Sequence, residues 1–540
     1  MQMGVTDEVA GLRDPVAGDQ DMRWGRLGPI LFVVAPAALL IAPIWAVALP
    51  ALPDLPAHLA CFFLLSGGIA DAPLSHFYRI DWQFVPNLAS EATVPFLVHI
   101  VGLVAATKIF LSLAVAVWVL GAAAIQRALF GRTGAATLLA SFFAYNVNFF
   151  WGFMNYEFGA GLALVVFAAW IVSANWARAT RLAVFAAVTL VIYFCHIFAA
   201  AMLLFMIACF ELDRLVRVRS LFSRASGLTL FDLSCIAAPT VAAFLFLKPN
   251  GADGSHLEFN LLSTWLDRLG AAFQMRFDDP GYVVLVLLSL FWIVGVWRGW
   301  LRVHPSMRIV LIGLLVLSIF LPEWALGGWG VDLRVPALLG ATVFAASEIV
   351  LSMRWQRGLA IAATVLLSLS AAAAGGNWAY YDRQYAEFRA ALKDVPEGAK
   401  IVTALDGDAM GLASDEPYWH MAEFAVMDRH GFTPLLFTTA GQHVVRVQPQ
   451  YQPFVAATAQ QGSPPDVGEL PDLAAGQANG DEDIPVEYPY LMFFQCHYDL
   501  MVVIRSSGKP SPVTDLLRLR HRGSFFDLYD VRRDRACARS

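Results

Sequence analysis

The amino-acid sequence predicts a polytopic α-helical membrane protein, with about 11 crossings and a small C-terminal α/β domain outside the bilayer. Three observations lead there. Of 540 residues, 58% are hydrophobic and only 15% charged, where a soluble protein carries roughly a quarter charged. Many apolar runs approach the roughly 20 residues that a helix needs to cross a bilayer. After residue 375 the composition turns polar, with strand-like runs among turns. The formal charge of −6 gives no reason to expect a nucleic-acid partner. Six cysteines, Cys61, Cys195, Cys209, Cys235, Cys496 and Cys537, form no CxxC pair and no zinc-type spacing. Cys496 and Cys537 would pair in an oxidising space and stay free thiols elsewhere.

The first apolar run, Pro29 to Leu49, contains Ala46-Val47-Ala48, which looks like a signal-peptidase site. The run is longer than a signal core and follows a long segment of mixed charge, so it reads as a retained anchor. Further candidate crossings lie at 98–123, 134–151, 158–175, 228–247, 281–297, 308–322, 335–352 and 356–375. Basic residues cluster at Arg23/Arg26, Arg127/Arg132, Arg178/Arg181, Arg214/Arg217/Arg219/Arg224, Arg298/Arg302/Arg308 and Arg354/Arg357. The positive-inside rule wants all six clusters cytoplasmic. That holds only if 182–211 crosses twice. One helix of that length would reach about 45 Å, against a core of about 30 Å. Two short arms with a tip near "YFCHIF" keep the N-terminus cytoplasmic and put the C-terminal domain outside.

In this frame residues 1–375 form the membrane domain, with outer loops at 51–97 and 249–280, and residues 376–540 the soluble domain. Each outer loop suits a short helix lying on the membrane surface. In the soluble part, "YYDRQYAEFRAALKDVPEGAKIVTAL" reads as helix, turn and strand, with further strands at 433–437, 499–505 and 524–531. The stretch 459–487, rich in Gly, Pro and acids, reads as a mobile loop. No phosphate loop, nucleophile elbow or HExxH is present.

The outer side collects Asp54, His58, Arg79, Asp81, Asn155, Glu157, His196, Asp332 and Arg334. Ionisable groups at membrane boundaries are functional suspects. In "PDLPAHLACFFLL", Asp54 has two chemical uses, as a base toward an attacking hydroxyl or as a ligand of a divalent cation. It also has a structural one, as the cap of the helix that follows. His58, four residues on, would face the same way in a helix. Lys108 is the clear charge inside a crossing and has no obvious partner.

The arrangement resembles integral-membrane glycosyltransferases of the GT-C fold, which carry an essential acid in the first outer loop. "PDLPAHLA", "GFMNYEFGAG", "VDLRVP" and the closing "FFDLYDV" are similar to stretches of bacterial glycosyltransferase-like membrane proteins. The resemblance implies transfer of a sugar from a polyprenyl-phosphate donor to a glycan, lipid or protein acceptor at the outer leaflet of the bacterial inner membrane. It implies Asp54 as base or metal ligand. Arg334, His58 and His196 would neutralise the departing phosphate, with Arg79 a weaker candidate, and Asn155, Glu157 and Asp332 would bind substrate. Many such enzymes carry two neighbouring acids where this chain has Asp54 alone, so Mg²⁺ or Mn²⁺ would need Glu157, Asp81 or Asp332 as a further ligand. A transporter or flippase of lipid-linked solutes and a non-catalytic assembly subunit are the alternatives. Neither calls for an essential Asp54.

Overall fold

The computed structural model describes residues 28, 30–247, 281–325, 328–406, 416–456, 462–477, 488–505, 515–533 and 537. The chain runs through α1 (Ala35–Ala46), α2 (Leu55–Leu65), α3 (Ala72–Phe77), β1 (Tyr78–Ile80), α4 (Ala89–Val101) and α5 (Leu103–Phe130). Gly102, at φ +83°, separates α4 from α5, a conformation that a β-carbon disfavours. Next come α6 (Ala135–Ser141), α7 (Val147–Trp151), α8 (Met154–Val172), α9 (Arg178–Cys195), α10 (Ile197–Arg217) and α11 (Arg224–Phe246). Then follow α12 (Gly281–Trp297), β2 (Leu301–Val303), α13 (Arg308–Phe320), α14 (Arg334–Ala345), β3 (Ser347–Ile349) and α15 (Met353–Ala391).

Among the described residues, five helical stretches, Leu103–Phe130, Met154–Asn175, Arg178–Cys195, Arg224–Phe246 and Met353–Asp394, are long and apolar enough to cross a membrane. The protein is a polytopic helical membrane protein. Helices α5 and α8 meet at glycines. A β-carbon on Gly121 would lie 2.5 Å from that of Leu164, and one on Gly161 2.8 Å from the Trp118 nitrogen. Small residues are what allow such close approach between membrane helices.

The stretch 182–211 is two helices joined at His196, but its arms are not short: α9 has 18 residues and α10 has 21. They outrun the apolar stretch because their charged ends are paired. Glu211 and Asp213, both buried, each sit 2.7 Å from an arginine, Arg214 and Arg217 respectively. Two other apolar runs are not single helices. The run 134–151 is split into α6 and α7, and the run 335–352 ends its helix at Ala345 and continues as β3, antiparallel to β2. Lys108 has a partner after all. Its Nζ donates to the Val47 carbonyl and lies 5.6 Å from the centre of the Trp45 ring.

Helix α15 carries 39 residues without interruption, so the change of composition near 375 falls inside one rod. Asp382 on it accepts hydrogen bonds from the Ala48 and Leu49 amides at 2.8 and 3.0 Å. Beyond it lie β4 (Ile401–Asp406), α16 (Phe424–Arg429), β5 (Val445–Val447), α17 (Leu470–Ala475), α18 (Phe494–His497), β6 (Leu500–Arg505), β7 (Leu517–Arg522) and β8 (Phe526–Val531). The sheet order is β4-β6-β8-β7, with β4 and β6 parallel and the other pairs antiparallel. The edge strand β7, "LRLRHR", exposes its charges, as an unpaired edge should. Cys496 and Cys537 form a disulfide.

Three expectations are revised. The stretch 433–437 is turn, not strand, and β5 pairs with β1 of the first loop. Of the stretch 459–487, residues 462–477 are folded, with a capping box at Asp466 and Leu470 and Leu473 in the core; the rest lies outside the described residues, as does the second outer loop 249–280. Finally, α2 is not a surface helix. Leu55, Leu59 and Phe62 join the bundle core, while Ala60, Cys61 and Leu64 join the core of the C-terminal part. A helix apolar on every side is a buried helix, and here two protein partners do the burying.

Candidate functional site

Asp54 stands immediately before α2. Its backbone is already helical (φ −77°, ψ −11°), and its carboxylate makes no capping hydrogen bond. A cap needs an extended backbone that swings the side chain over the first amides, and Pro56 offers no N–H to be capped. The carboxylate is therefore not used as a cap. It is held from behind, where the Asp54 amide donates to the Trp151 carbonyl at 3.0 Å. Gly152 packs against it at φ +97°, so close that a β-carbon there would lie 3.1 Å from that of Asp54.

The C-terminal part supplies the rest. His420 Nε2 lies 3.9 Å from Asp54 Oδ1, and its Nδ1 lies 3.6 Å from Glu423 Oε1. The Asp54 side chain keeps 16% exposure where Glu423 keeps 1%, so Asp54 is the open end of the row. Burial raises the Asp54 pKa to about 6, against which the His420 charge works downward. For His420, burial pushes the pKa down, but Glu423 and then Asp54 outweigh it and the net shift is upward.

Three imidazoles surround one ring. His58, His420 and His443 lie 5.0, 5.1 and 5.1 Å from the centre of Phe437. His58 is not the cation expected from its place in the sequence. Burial, with His443 and His420 adding to it and the Gly152 backbone working against it, lowers its pKa to about 3, so it is neutral, its ring set between Phe62 and Phe437. His443 is likewise lowered to about 3, by burial and then Arg446. Its Nδ1 lies 4.0 Å from Glu91, whose pKa burial raises to about 7 against hydrogen bonds from Asn155 and Ser90.

Arg334 forms a second centre, at the start of α14. Its guanidinium lies 5.4, 5.6 and 5.8 Å from the rings of Phe153, Tyr156 and Phe198. One nitrogen donates to the Trp329 carbonyl at 3.1 Å, while Nε, buried, has no hydrogen-bond partner. Asp332 is among its charged neighbours. His196 is brought to the same place, 5.3 Å from the Tyr156 ring, but its Nδ1 is occupied in capping α10. Trp151, Gly152 and Phe153 connect the two centres. Trp151 packs on Trp419 (5.7 Å), the neighbour of His420, and on Trp329 (4.9 Å).

Two expected substrate residues are turned inward instead. Asn155 accepts from the Ser90 amide (2.7 Å) and donates to the Asn87 carbonyl (2.8 Å) and Glu91 (2.9 Å). With its amide used up, it ties α8 to the first loop and has nothing left for a sugar. Glu157 accepts from Asn146 at 3.2 Å and is 1% exposed. Arg79 pairs loosely with Asp81, both partly exposed. His420, Glu423, His443 and Glu91 were not singled out from the sequence. The spacing His420-Met421-Ala422-Glu423 was the available signal, since residues three apart share a helical face.

Among the described residues no three His, Cys, Asp or Glu side chains could hold a metal ion. The reason at Asp54 is geometric. The two nitrogens of His420 face different carboxylates, so the three groups do not converge on one point.

No family model and no curated protein matches the chain. Among solved structures, it is similar to ArnT from Cupriavidus metallidurans bound to undecaprenyl phosphate, at 12% identity and TM-score 0.43, over 94% of this chain and 98% of that one. It is also similar to the arabinofuranosyltransferase AftD from Mycobacteria, at 15% identity and TM-score 0.40, over 89% of this chain and 40% of that one. Both likenesses are of general layout, and no residue role is transferred from either.

Proposed function

We propose that the protein is a membrane glycosyltransferase that moves a sugar from a polyprenyl-phosphate donor to an acceptor hydroxyl, with Asp54 as the base. The observation that carries this reading is the Asp54 carboxylate itself: free of the capping role, the exposed end of a buried row, and with a pKa raised to about 6. A base works best when its pKa lies near the working pH. The acceptor oxygen attacks the anomeric carbon as its proton passes to Asp54, and the bond from that carbon to the phosphate oxygen breaks. The phosphate leaves with the electron pair, and Arg334, with its unpartnered Nε, neutralises it. The disulfide of the C-terminal part suits a periplasmic side. Among the described residues no ligand set for Mg²⁺ or Mn²⁺ assembles, and no step is routed through a cation. About 11 crossings, with the N-terminus cytoplasmic, complete the proposal.

The test uses Asp54→Asn in the full-length protein. The variant is expected to melt like the parent and to bind undecaprenyl phosphate with or without Mg²⁺, while glycan incorporation in the native envelope is lost. An Asp54→Asn protein that still supports incorporation would overturn the reading in favour of a transporter or an assembly subunit.

A further inference from the structure

We propose that His420, oriented by Glu423, relieves Asp54 of the proton it takes from the acceptor. The inference rests on Asp54 being the base. Three observations support it. The two imidazole nitrogens face one carboxylate each, Nε2 toward Asp54 and Nδ1 toward Glu423. Glu423 is wholly buried, and neither of its carboxylate oxygens has a hydrogen-bond partner, nor has His420 Nδ1. An enclosed carboxylate without donors is costly unless a positive partner forms beside it, and the imidazolium is that partner. Lastly, of the three imidazoles around Phe437, only His420 is drawn upward in pKa by carboxylates.

The groups facing His420 are Asp54, just before α2, His58 on α2 and Glu423 from its own turn. His443 stacks on the Phe437 ring and faces Glu91, and Cys61 has both Glu91 and Glu423 as charged neighbours. At 3.6 and 3.9 Å the contacts are longer than hydrogen bonds, and such contacts tighten when substrate arrives.

The steps balance. The acceptor O–H bond breaks as the new glycosidic bond forms, and its proton goes to Asp54. From there it goes to Nε2 of His420, leaving Asp54 ionised again. Glu423 accepts the Nδ1 hydrogen and offsets the imidazolium charge, and the proton later returns to water through Asp54. His420 and Glu423 are positioning residues, since neither meets the acceptor.

The experiment compares Asp54→Asn, His420→Gln, Glu423→Gln and Glu423→Asp in full-length protein, following glycan incorporation against pH and undecaprenyl phosphate binding. The expected result for His420→Gln is a rate about 10- to 100-fold lower with lipid binding retained. Its acid limb should lie at higher pH, because the charge that holds Asp54 down is gone. Glu423→Gln should lose rate, and Glu423→Asp should recover part of it. Unchanged rate and acid limb in His420→Gln, with Asp54→Asn dead, would sink the inference and leave the glycosyltransferase reading standing; an active Asp54→Asn would sink that reading itself. If His420→Gln does not fold, ¹³C-labelled histidine in the parent decides. One imidazole titrating above 6.5, with a midpoint lowered in Asp54→Asn, supports the relay, and none overturns it.

Discussion

The two centres of the candidate site handle charge in opposite ways. Around Asp54, acids and imidazoles from distant parts of the chain meet in a row, and their protons can move along it. Around Arg334, a single cation sits in a cage of Phe153, Tyr156 and Phe198, drawn from the bundle alone, and its charge cannot be removed by any ordinary pH. The first arrangement suits proton transfer. The second suits holding an anion. Their separation into two chemistries, joined by Trp151-Gly152-Phe153, is what an enzyme with one base and one phosphate-leaving step needs.

Substitutions can break or sharpen this division. The largest effect expected is a loss of about 10²- to 10⁴-fold in glycan incorporation for Asp54→Asn, with undecaprenyl phosphate binding intact. Arg334→Met should do the reverse, weakening binding of that lipid by roughly 10- to 100-fold, as for a lost hydrogen bond to a charged group. If the two phenotypes were exchanged, the roles of the centres would be too. Asn155→Ala should cost about 2–4 kcal/mol in unfolding free energy through its buried hydrogen bonds, with neither lipid binding nor the pH profile of the folded fraction altered. Gly152→Ala should cost about 1–3 kcal/mol from its backbone conformation and slow turnover by displacing Asp54, both read by melting and incorporation assays.

The smallest effect is on stability against pH. His58 and His443, lowered to about 3, favour folding above 6.5 and lose that contribution as pH falls from 6.5 toward 3. Asp54 and Glu91, raised to about 6 and 7, act with the opposite sign: their contribution is fully present below their unfolded values and lost as pH rises through 6 and 7. The parent should therefore change little in melting temperature between pH 7.5 and 5. His58→Gln should shift the balance toward pH 5 and Glu91→Gln toward pH 7.5.

Much of this was legible in the sequence. Composition marked the bundle, the basic clusters demanded the break at His196, and "PDLPAHLA" pointed to Asp54. The strands near 499–505 and 524–531 stood out as short runs of apolar, β-branched and aromatic residues, and they pair with each other in one sheet. What stayed hidden depends on partners distant in the chain. Nothing local says that α2 is covered by two cores rather than by lipid, or that His58 is enclosed by Phe62 and Phe437 and so neutral. Asn155 looked available because Ser90 and Glu91, which occupy it, lie about 65 residues away. His420 lay in a segment of no regular period, and only the fold places it over Asp54.

Helix α15, with its 39 residues, is a rod of about 58 Å that turns by about 100° per residue. Its length is therefore also an angle. One residue added within it would swing everything beyond by more than a quarter of a revolution, pulling β5 off β1 and His420 away from Asp54. Seven added residues, close to two full turns, would restore the heading while lifting the domain by about 10 Å. Chains that share this architecture should thus tolerate drift in the sequence of the rod far more readily than drift in its residue count.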